Sequence, residues 1–589
     1  MQPETKPSHT EVEHVKAKSN YLRGTLVESL ENGITGALFP DDTHLIKFHG
    51  SYQQTDRDLD SERARQKLEP LYSFMIRVRV PGGIASPKQW LRMDELADQY
   101  GNGTLKLTTR QAFQLHGVYK RNLKAAIQGF NGVFLDSIAG CGDVNRNVMC
   151  SANPDESRVH AAMYEVARAI STAFTPQTGA YAEIWAPPGL AEGEDLPKGS
   201  KEEGAWSKVF LASPQQEDAE PIYGKTYLPR KFKIAIAAPP ENDTDIFAND
   251  IGLIAIEENG ELIGFNFAAG GGLGMTFGMP DTFPRLADLL GFVKSEDVVK
   301  VCEAVITTQR DFGNRENRKF SRLKYTIERM GLDEFRKEVE NRSGVDFEPL
   351  RPFQFKHSGD RFGWTQGESG RFHLTLFIEG GRVQDAENYL LKTALREVAA
   401  LLREGEFRLT GNQNLLIGNI LPEQRIDVEN TLKKYGVLET TFRQTALRLN
   451  SIACVALPTC TLAFAEAERY LPRLIDQIDG VLRKYHMQKE AINIRMTGCP
   501  NGCGRPYLAE IGLVGKSPGY YNLYLGAAHD GSRLNKLYRE MLDEAAILRE
   551  LEPLIAAYAM KRNPGERFGD FVIRTGYITA TTHGTNFHN

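Results

Sequence analysis

The sequence predicts an α+β fold of two pseudo-equivalent halves, with mixed sheets and helices packed around a common centre. Three observations predict it. A chain of 589 residues exceeds what one hydrophobic core supports, so several packed units are expected. A set of landmarks also recurs in the same order. Leu107-Thr108-Thr109-Arg110-Gln111 returns as Leu409-Thr410-Gly411-Asn412-Gln413, an offset of 302 (409 − 107). The turn Gly82-Gly83 returns as Gly380-Gly381, Asp250-Ile251-Gly252-Leu253 as Glu510-Ile511-Gly512-Leu513, and Phe265-Asn266-Phe267 as Tyr521-Asn522-Leu523. Such self-similarity reads as a duplication. Lastly, strand and helix patterns follow one another within the first copy. The expected division is a tail and arm over 1–69, a first half over 70–345 and a second over 346–589.

Taken in order, Met1 to about Ser19 reads as a flexible tail, and the charged run Gln53 to Glu69 as a solvated helix or arm. Phe74 to Gly83 reads as a strand ending in a turn. Its period of two puts Arg77 and Arg79 on one face, where two cations repel unless an anion lies between them. The plainer reading is an exposed basic edge. Pro87 to Gln99 places Trp90, Leu91, Met93, Leu96 and Ala97 at helical spacing. Leu105 to Gly117 is again strand-like and cationic. Lys231 and Lys233 share a strand face by the same alternation. Gly270-Gly271-Gly272-Leu273-Gly274 lacks the G-x-G-x-x-G spacing of a dinucleotide site and reads as a loop passing close to a ligand or another backbone. A cationic run from Thr307 to Lys324 leads into a helical connector.

Composition narrows the classes. With 41% hydrophobic and 25% charged residues the chain is an ordinary soluble protein. A formal charge of −5 argues against a general nucleic-acid binder. Met1 to Lys18 lacks the apolar core of a signal peptide, and no apolar run reaches the length of a membrane span. Seven cysteines, an odd number with four clustered, do not suggest a disulfide framework. The expected compartment is the cytoplasm.

The four clustered cysteines organise the second half. Cys454 and Cys460 have five residues between them, and Cys499 and Cys503 have three. The second pair lies in Thr497-Gly498-Cys499-Pro500-Asn501-Gly502-Cys503-Gly504-Arg505, whose glycines allow a sharp turn and a close approach to something bulky. Cys499-Pro500 matches the Cys-Pro ending of iron–sulfur ligand runs. An iron–sulfur cluster is the best reading. Four buried reduced thiols and a structural zinc site, whose pairs usually have two residues between them, remain as alternatives. Thr459-Cys460-Thr461 precedes an apolar run, Leu462 to Leu471, which predicts a helix N-terminus at Cys460. The first half has no such cysteines. Asn147 to Cys150 stands where the second half has Ser451 to Cys454, and Lys233 to Pro240 where it has Arg495 to Arg505.

These motifs, over about Asn20 to Gly576, resemble the siroheme sulfite and nitrite reductases. The resemblance implies an internally duplicated siroheme/[4Fe–4S] reductase fold around a central cofactor. It implies that Cys454, Cys460, Cys499 and Cys503 hold one [4Fe–4S] cluster, and that Cys503 is also the axial thiolate of siroheme. Siroheme carries eight carboxylates and needs an unusual number of Arg, Lys and amide donors. The shell expected for it is Lys106, Arg110, Gln114, His116, Arg310, Arg322, Lys324 and Asn501. The family commonly has arginine where Lys106 stands. Arg77, Arg146, Lys231 and Lys233 are the expected catalytic cations, neutralising the substrate and delivering protons. The implied reaction is the six-electron reduction of sulfite to sulfide in cysteine biosynthesis. No nicotinamide or flavin fingerprint is present, so electrons are expected from a partner, an NADPH-dependent flavoprotein subunit or a ferredoxin. A siroheme nitrite reductase is the alternative, although that motif usually has serine where Gly502 stands and often lysine where Arg79 stands. A zinc-stabilised binding module is the other.

Overall fold

Each of two five-stranded antiparallel sheets is completed by a strand from the opposite half of the chain. In the computed structural model, which describes residues 9–152, 157–181, 184–186, 209–212 and 220–588, the first sheet runs Ser51–Thr55, Tyr72–Val78, Phe113–Val118, Leu105–Leu107 and then Arg382–Val383. The second runs Gly363–Gln366, Phe372–Leu376, Leu415–Ile420, Glu406–Leu409 and then Ile84–Ala85. Arg382 pairs with Lys106, and Ile84 with Arg408. The helices behind these sheets also interlock. Helix Pro87–Gln99 starts in a capping box between Ser86 and Gln89 with Pro87 in its first turn. It buries Trp90, Met93, Leu96 and Ala97. Trp90 stacks on Phe407 of the other half at 4.6 Å between ring centroids. Lys392 and Arg396 of helix Leu391–Leu401 pair with Asp94 and Asp98.

The repeat continues in two further sheets. One runs Asp288–Lys294, Glu261–Ala269, Ile251–Glu258, Ile234–Ala237; the other Ser451–Ala453, Ile494–Thr497, Ile511–Ser517, Tyr520–Leu525, Lys536–Leu542. Ile234 pairs in parallel with Ile251, as Ile494 does with Ile511. The offset here is therefore 260 (511 − 251), which sets Pro239-Pro240 against Cys499-Pro500. Phe265 to Phe267 and Tyr521 to Leu523 occupy matching registers. The parallel bridges Met149 to Ala235 and Ile452 to Arg495 correct one expectation. Cys150 corresponds to Ala453, one residue short of Cys454.

The N-terminal reading also changes. Residues 1–8 lie outside the described residues. Residues 11–18 form helix Glu11–Lys18, which buries Glu13, Val15 and Lys16. The Lys16 ammonium pairs with Glu13 at 2.5 Å and Asp143 at 3.5 Å, so charge fastens this segment to the body. Ser51–Thr55 is an edge strand, whereas helix Asp60–Arg65 buries nothing. Among the described residues no helix is long and apolar enough to cross a membrane.

Candidate active site

The four thiols lie on loops at one end of the last sheet. Cys454 follows strand Ser451–Ala453, and Cys499 and Cys503 follow Ile494–Thr497. Cys460 sits in a turn. No helix begins there; the next is Leu471–Lys484. The apolar pattern misread as helical is a loop that buries Ala463, Ala465 and Ala467. Main-chain N–H groups nevertheless point at sulfur. Leu462 and Ala463 donate to Cys460, and Gly498 N donates to Cys454 Sγ at 3.4 Å. Asn501 Nδ2 donates to Cys499 Sγ at 3.4 Å. Burial raises the Cys454, Cys460 and Cys499 thiols, the last to about 12, and the charge of Cys503 adds to each. Four thiols within each other's field need metal to become thiolates. Among the described residues no three His, Cys, Asp or Glu side chains converge on a point that one metal ion would fill. As placed, the four thiols therefore do not form a tetrahedral zinc site. Cys503 differs from the rest: it is exposed, while the others are wholly or partly covered.

Cys503 opens onto a cavity bordered by Arg110, Lys231, Lys233, Arg322 and Arg505 with Thr109, Asn249, Leu273, Gly274, Asn501 and Gly502. Lys231 and Lys233 border this cavity, and their ammonium groups make no hydrogen bond or ion pair among the described residues. Burial, then Arg230, pushes Lys231 down to about 7; burial, then Lys231, pushes Lys233 well below the ordinary range. Burial, then Arg505, lowers Arg110 to about 9, and its Nε is buried without a partner. Arg322 and Arg505 pair with Asp250 and Asp245, but Lys231, Lys233 and Arg110 meet no carboxylate among the described residues, which fits a bulky polyanion beside Cys503. The glycine loop forms one wall. A Cβ on Gly271 would lie 2.2 Å from the Phe247 carbonyl, and Met275 N donates to Pro500 O at 2.9 Å. The loop is thereby seated on the cysteine turn.

Arg77 and Arg146 flank Arg110, whose charge they oppose. Arg146 donates from Nε and Nη2 to Gly142 O at 3.0 and 2.8 Å. With the Gln114 amide oriented to satisfy both neighbours, its Oε1 accepts from Arg77 Nε at 2.9 Å and Nη2 at 2.6 Å, and its nitrogen donates to His116 Nε2 at 3.1 Å.

Several residues expected in the shell have other partners. Gln114 meets Arg77 and His116, and neither Gln114 nor His116 borders the cavity. Lys106 is spent on Glu468 at 2.7 Å and on the Gly380 carbonyl. Despite burial, Lys106 and Arg382 hold Glu468 at about 2. Arg310 pairs with its neighbour Asp311 and with Ile222 O, remote from the cavity. Lys324 binds the carbonyls of Gly272, Gly274 and Phe283, so it props the glycine loop. Arg322 borders the cavity but forms a bidentate pair with Asp250. Asn501 borders it too and serves Cys499. Arg79 has its own anion, Asp136.

Two cations were not singled out in the sequence: Arg505 on the cavity's border, and Arg230, whose charge acts on Lys231. Arg230, adjoining Lys231, is lowered to about 10 by burial and then Arg318. Arg505, inside the cysteine motif, takes a left-handed backbone (φ 56). It donates to Thr109 O at 3.2 Å and Gly411 O at 2.7 Å, equivalent positions in the two repeats. Adjacency to a nominated lysine and to Cys503 was the available signal.

Comparison with known proteins decides the family. The model of the nitrite/sulfite reductase ferredoxin-like half domain matches residues 66–133 and 365–435, the two strand-exchanged sheets. The model of the nitrite and sulphite reductase 4Fe-4S domain matches 167–347, which holds the third sheet; the cysteines lie on its repeat. A sulfite reductase [NADPH] hemoprotein beta-component from Geobacillus kaustophilus is 54% identical over 587 residues, covering 100% of this chain and 99% of that protein. The chain belongs to the nitrite and sulfite reductase family. Another relative of that name, from a Shewanella species (strain ANA-3), is 55% identical over 98% of each chain. In fold, the family likeness extends to the solved structure of Mycobacterium tuberculosis NirA protein, with a TM-score of 0.74 and 23% identity over 96% of this chain and 97% of that one.

Proposed function

We propose that this chain is the haemoprotein subunit of an assimilatory sulfite reductase and reduces sulfite to sulfide with six electrons. The observation that carries this is the exposed Cys503 facing a cavity where Lys231, Lys233 and Arg110 meet no carboxylate among the described residues. In this reading residues 346–589 supply the thiols of a [4Fe–4S] cluster, Cys454, Cys460, Cys499 and Cys503, and residues 70–345 supply most of the cations for siroheme and substrate, behind an N-terminal segment of 1–69. When bound, the coupled cluster and siroheme supply electrons and a metal for the substrate's sulfur. Gly498, Asn501 and the 462–463 amides hold the thiolates. Arg110, Arg322 and Arg505, on the cavity's border, would hold the macrocycle carboxylates.

Arg77 and Arg146 bind the oxyanion. Lys231 and Lys233 are the proton donors, because only an amine with a depressed affinity gives up its proton near neutral pH. The relatives' names carry NADPH, and no nicotinamide fingerprint is present here, so an NADPH-dependent flavoprotein subunit is the electron donor and a ferredoxin the second reading. The compartment is the cytoplasm. Sulfite is favoured over nitrite by those names and by the number of cations. The test is the visible spectrum of the purified protein with iron and sulfide analysis, followed by sulfite reduction with an artificial donor. One cluster and one siroheme per chain are expected. Stoichiometric zinc without a chromophore would overturn the reading.

A further inference from the structure

We propose that Cys141 is a positioning residue of the anion site, its thiol aiming the Arg77 guanidinium at the substrate. The inference rests on the sulfite reading of the cavity and adds a residue to it.

Arg77 presents five N–H groups in a rigid plane. Gln114 Oε1 takes one from Nε and one from Nη2. On the other side of the fork Nη1 donates to Cys141 Sγ at 3.0 Å and reaches Gly140 O at 3.4 Å. One Nη2 N–H is left, and its direction is set by Gln114 and Cys141 together. The thiol is fully buried, and its S–H is directed at Gly50 O, 3.8 Å away. The sulfur lone pairs are therefore free to accept from Arg77.

The sulfur is itself held in place by its loop. A Cβ on Gly140 would lie 2.4 Å from the Arg77 carbonyl, so this loop lies flush on the strand, and Ala139 N donates to Phe48 O at 2.8 Å. Arg79, two residues on, shows what a different acceptor does. Its Nε and Nη2 are matched by both oxygens of Asp136 at 2.8 and 2.9 Å, which neutralises it. Among the described residues Arg77 is held by an amide, a carbonyl and a thiol, so its orientation is fixed and its charge is kept for an anion. Cys141 belongs to neither cysteine pair of the cluster, and the proposed reaction gives it no other task.

The test is a double-mutant cycle on the holoprotein between Cys141→Ala and Arg77→Ala, repeated with Cys141→Ser so that an unstable alanine variant leaves the cycle readable. Sulfite KM and kcat with an artificial donor, and sulfite Kd by calorimetry, are measured alongside the visible spectrum. Cys141→Ala should raise KM and Kd about three- to tenfold, the loss of one modest hydrogen bond. kcat and cofactor absorbance should be nearly unchanged. Serine, which also accepts, should recover most of the loss. In the Arg77→Ala background neither substitution should matter further. Additive effects, or an alanine variant with wild-type KM and Kd, would overturn the assignment of Cys141. Failure of the wild-type protein to reduce sulfite would overturn the functional reading instead.

Discussion

The guanidinium groups of Arg77 and Arg146 converge on one acceptor, the Gly140 carbonyl, 3.4 Å from each. Two like charges brought together by a neutral group are stable only with an anion to share. Arg77→Ala and Arg146→Ala should each lower kcat/KM for sulfite by about one to two orders of magnitude, since a charge-assisted hydrogen bond is worth about 1.5–3 kcal/mol. Nitrite, with a single charge, should lose less, and the cofactor spectrum should stay intact. Loss of siroheme in either variant would recast that arginine as a macrocycle anchor.

Lys231 gives a pH prediction. Its affinity for protons is lowered from 10.5 to about 7, so between those values the unfolded chain binds the proton and the folded one does not. Stability therefore rises with pH across that window and falls as pH drops through it towards 7. An anion in the cavity reverses the cause and returns the proton. Anion binding at about pH 8 should take up a proton, read by calorimetry in buffers of different ionisation enthalpy. Lys231→Met should reduce the uptake, and equal heats in all buffers would contradict the assignment.

Cys503→Ser should separate the two cofactors, with loss of the coupled spectrum, while Cys150→Ser keeps both. Cys150 is a buried free thiol, and its N–H and C=O bond to the Gln111 side chain. Iron analysis with the visible spectrum decides. A cluster lost from Cys150→Ser alone would refute the ligand set.

The repeat was legible because its turns demand particular residues. Gln111 and Gln413 both carry positive φ, and Thr108 and Thr410 both accept from the amides two and four residues on. The alternation of Lys231 and Lys233 was legible too, with Phe232 buried between them. What failed was the assignment of counter-ions. Lys106, Arg310 and Arg79 look as free as Lys231 in sequence, yet each meets a carboxylate that only folding brings near or orients. Cys150 was aligned one residue off because strand register, not residue identity, sets the correspondence.

One such counter-ion yields a stability prediction. Glu468 is clasped by Lys106 and Arg382, with side-chain exposures of 12%, 2% and 15%. Glu468→Gln leaves two buried cations unpaired, at a cost of about 3–5 kcal/mol. The denaturation midpoint should fall clearly. Glu466→Gln, nearer the surface, should change it little. Equal midpoints would show that the triad contributes nothing net.

Because Ile84–Ala85 and Arg382–Val383 are each lent to the sheet of the opposite half, the polypeptide is buckled like two clasped hands. Neither half can be lifted away without baring two strand edges, one on each partner. The walls of the cavity therefore cannot part as hinged lobes, and a gene cut between the halves should yield fragments that dissolve only when made together. The same clasp binds their histories: once the strands were lent, neither copy was able to leave the other, whatever chemistry one of them had lost.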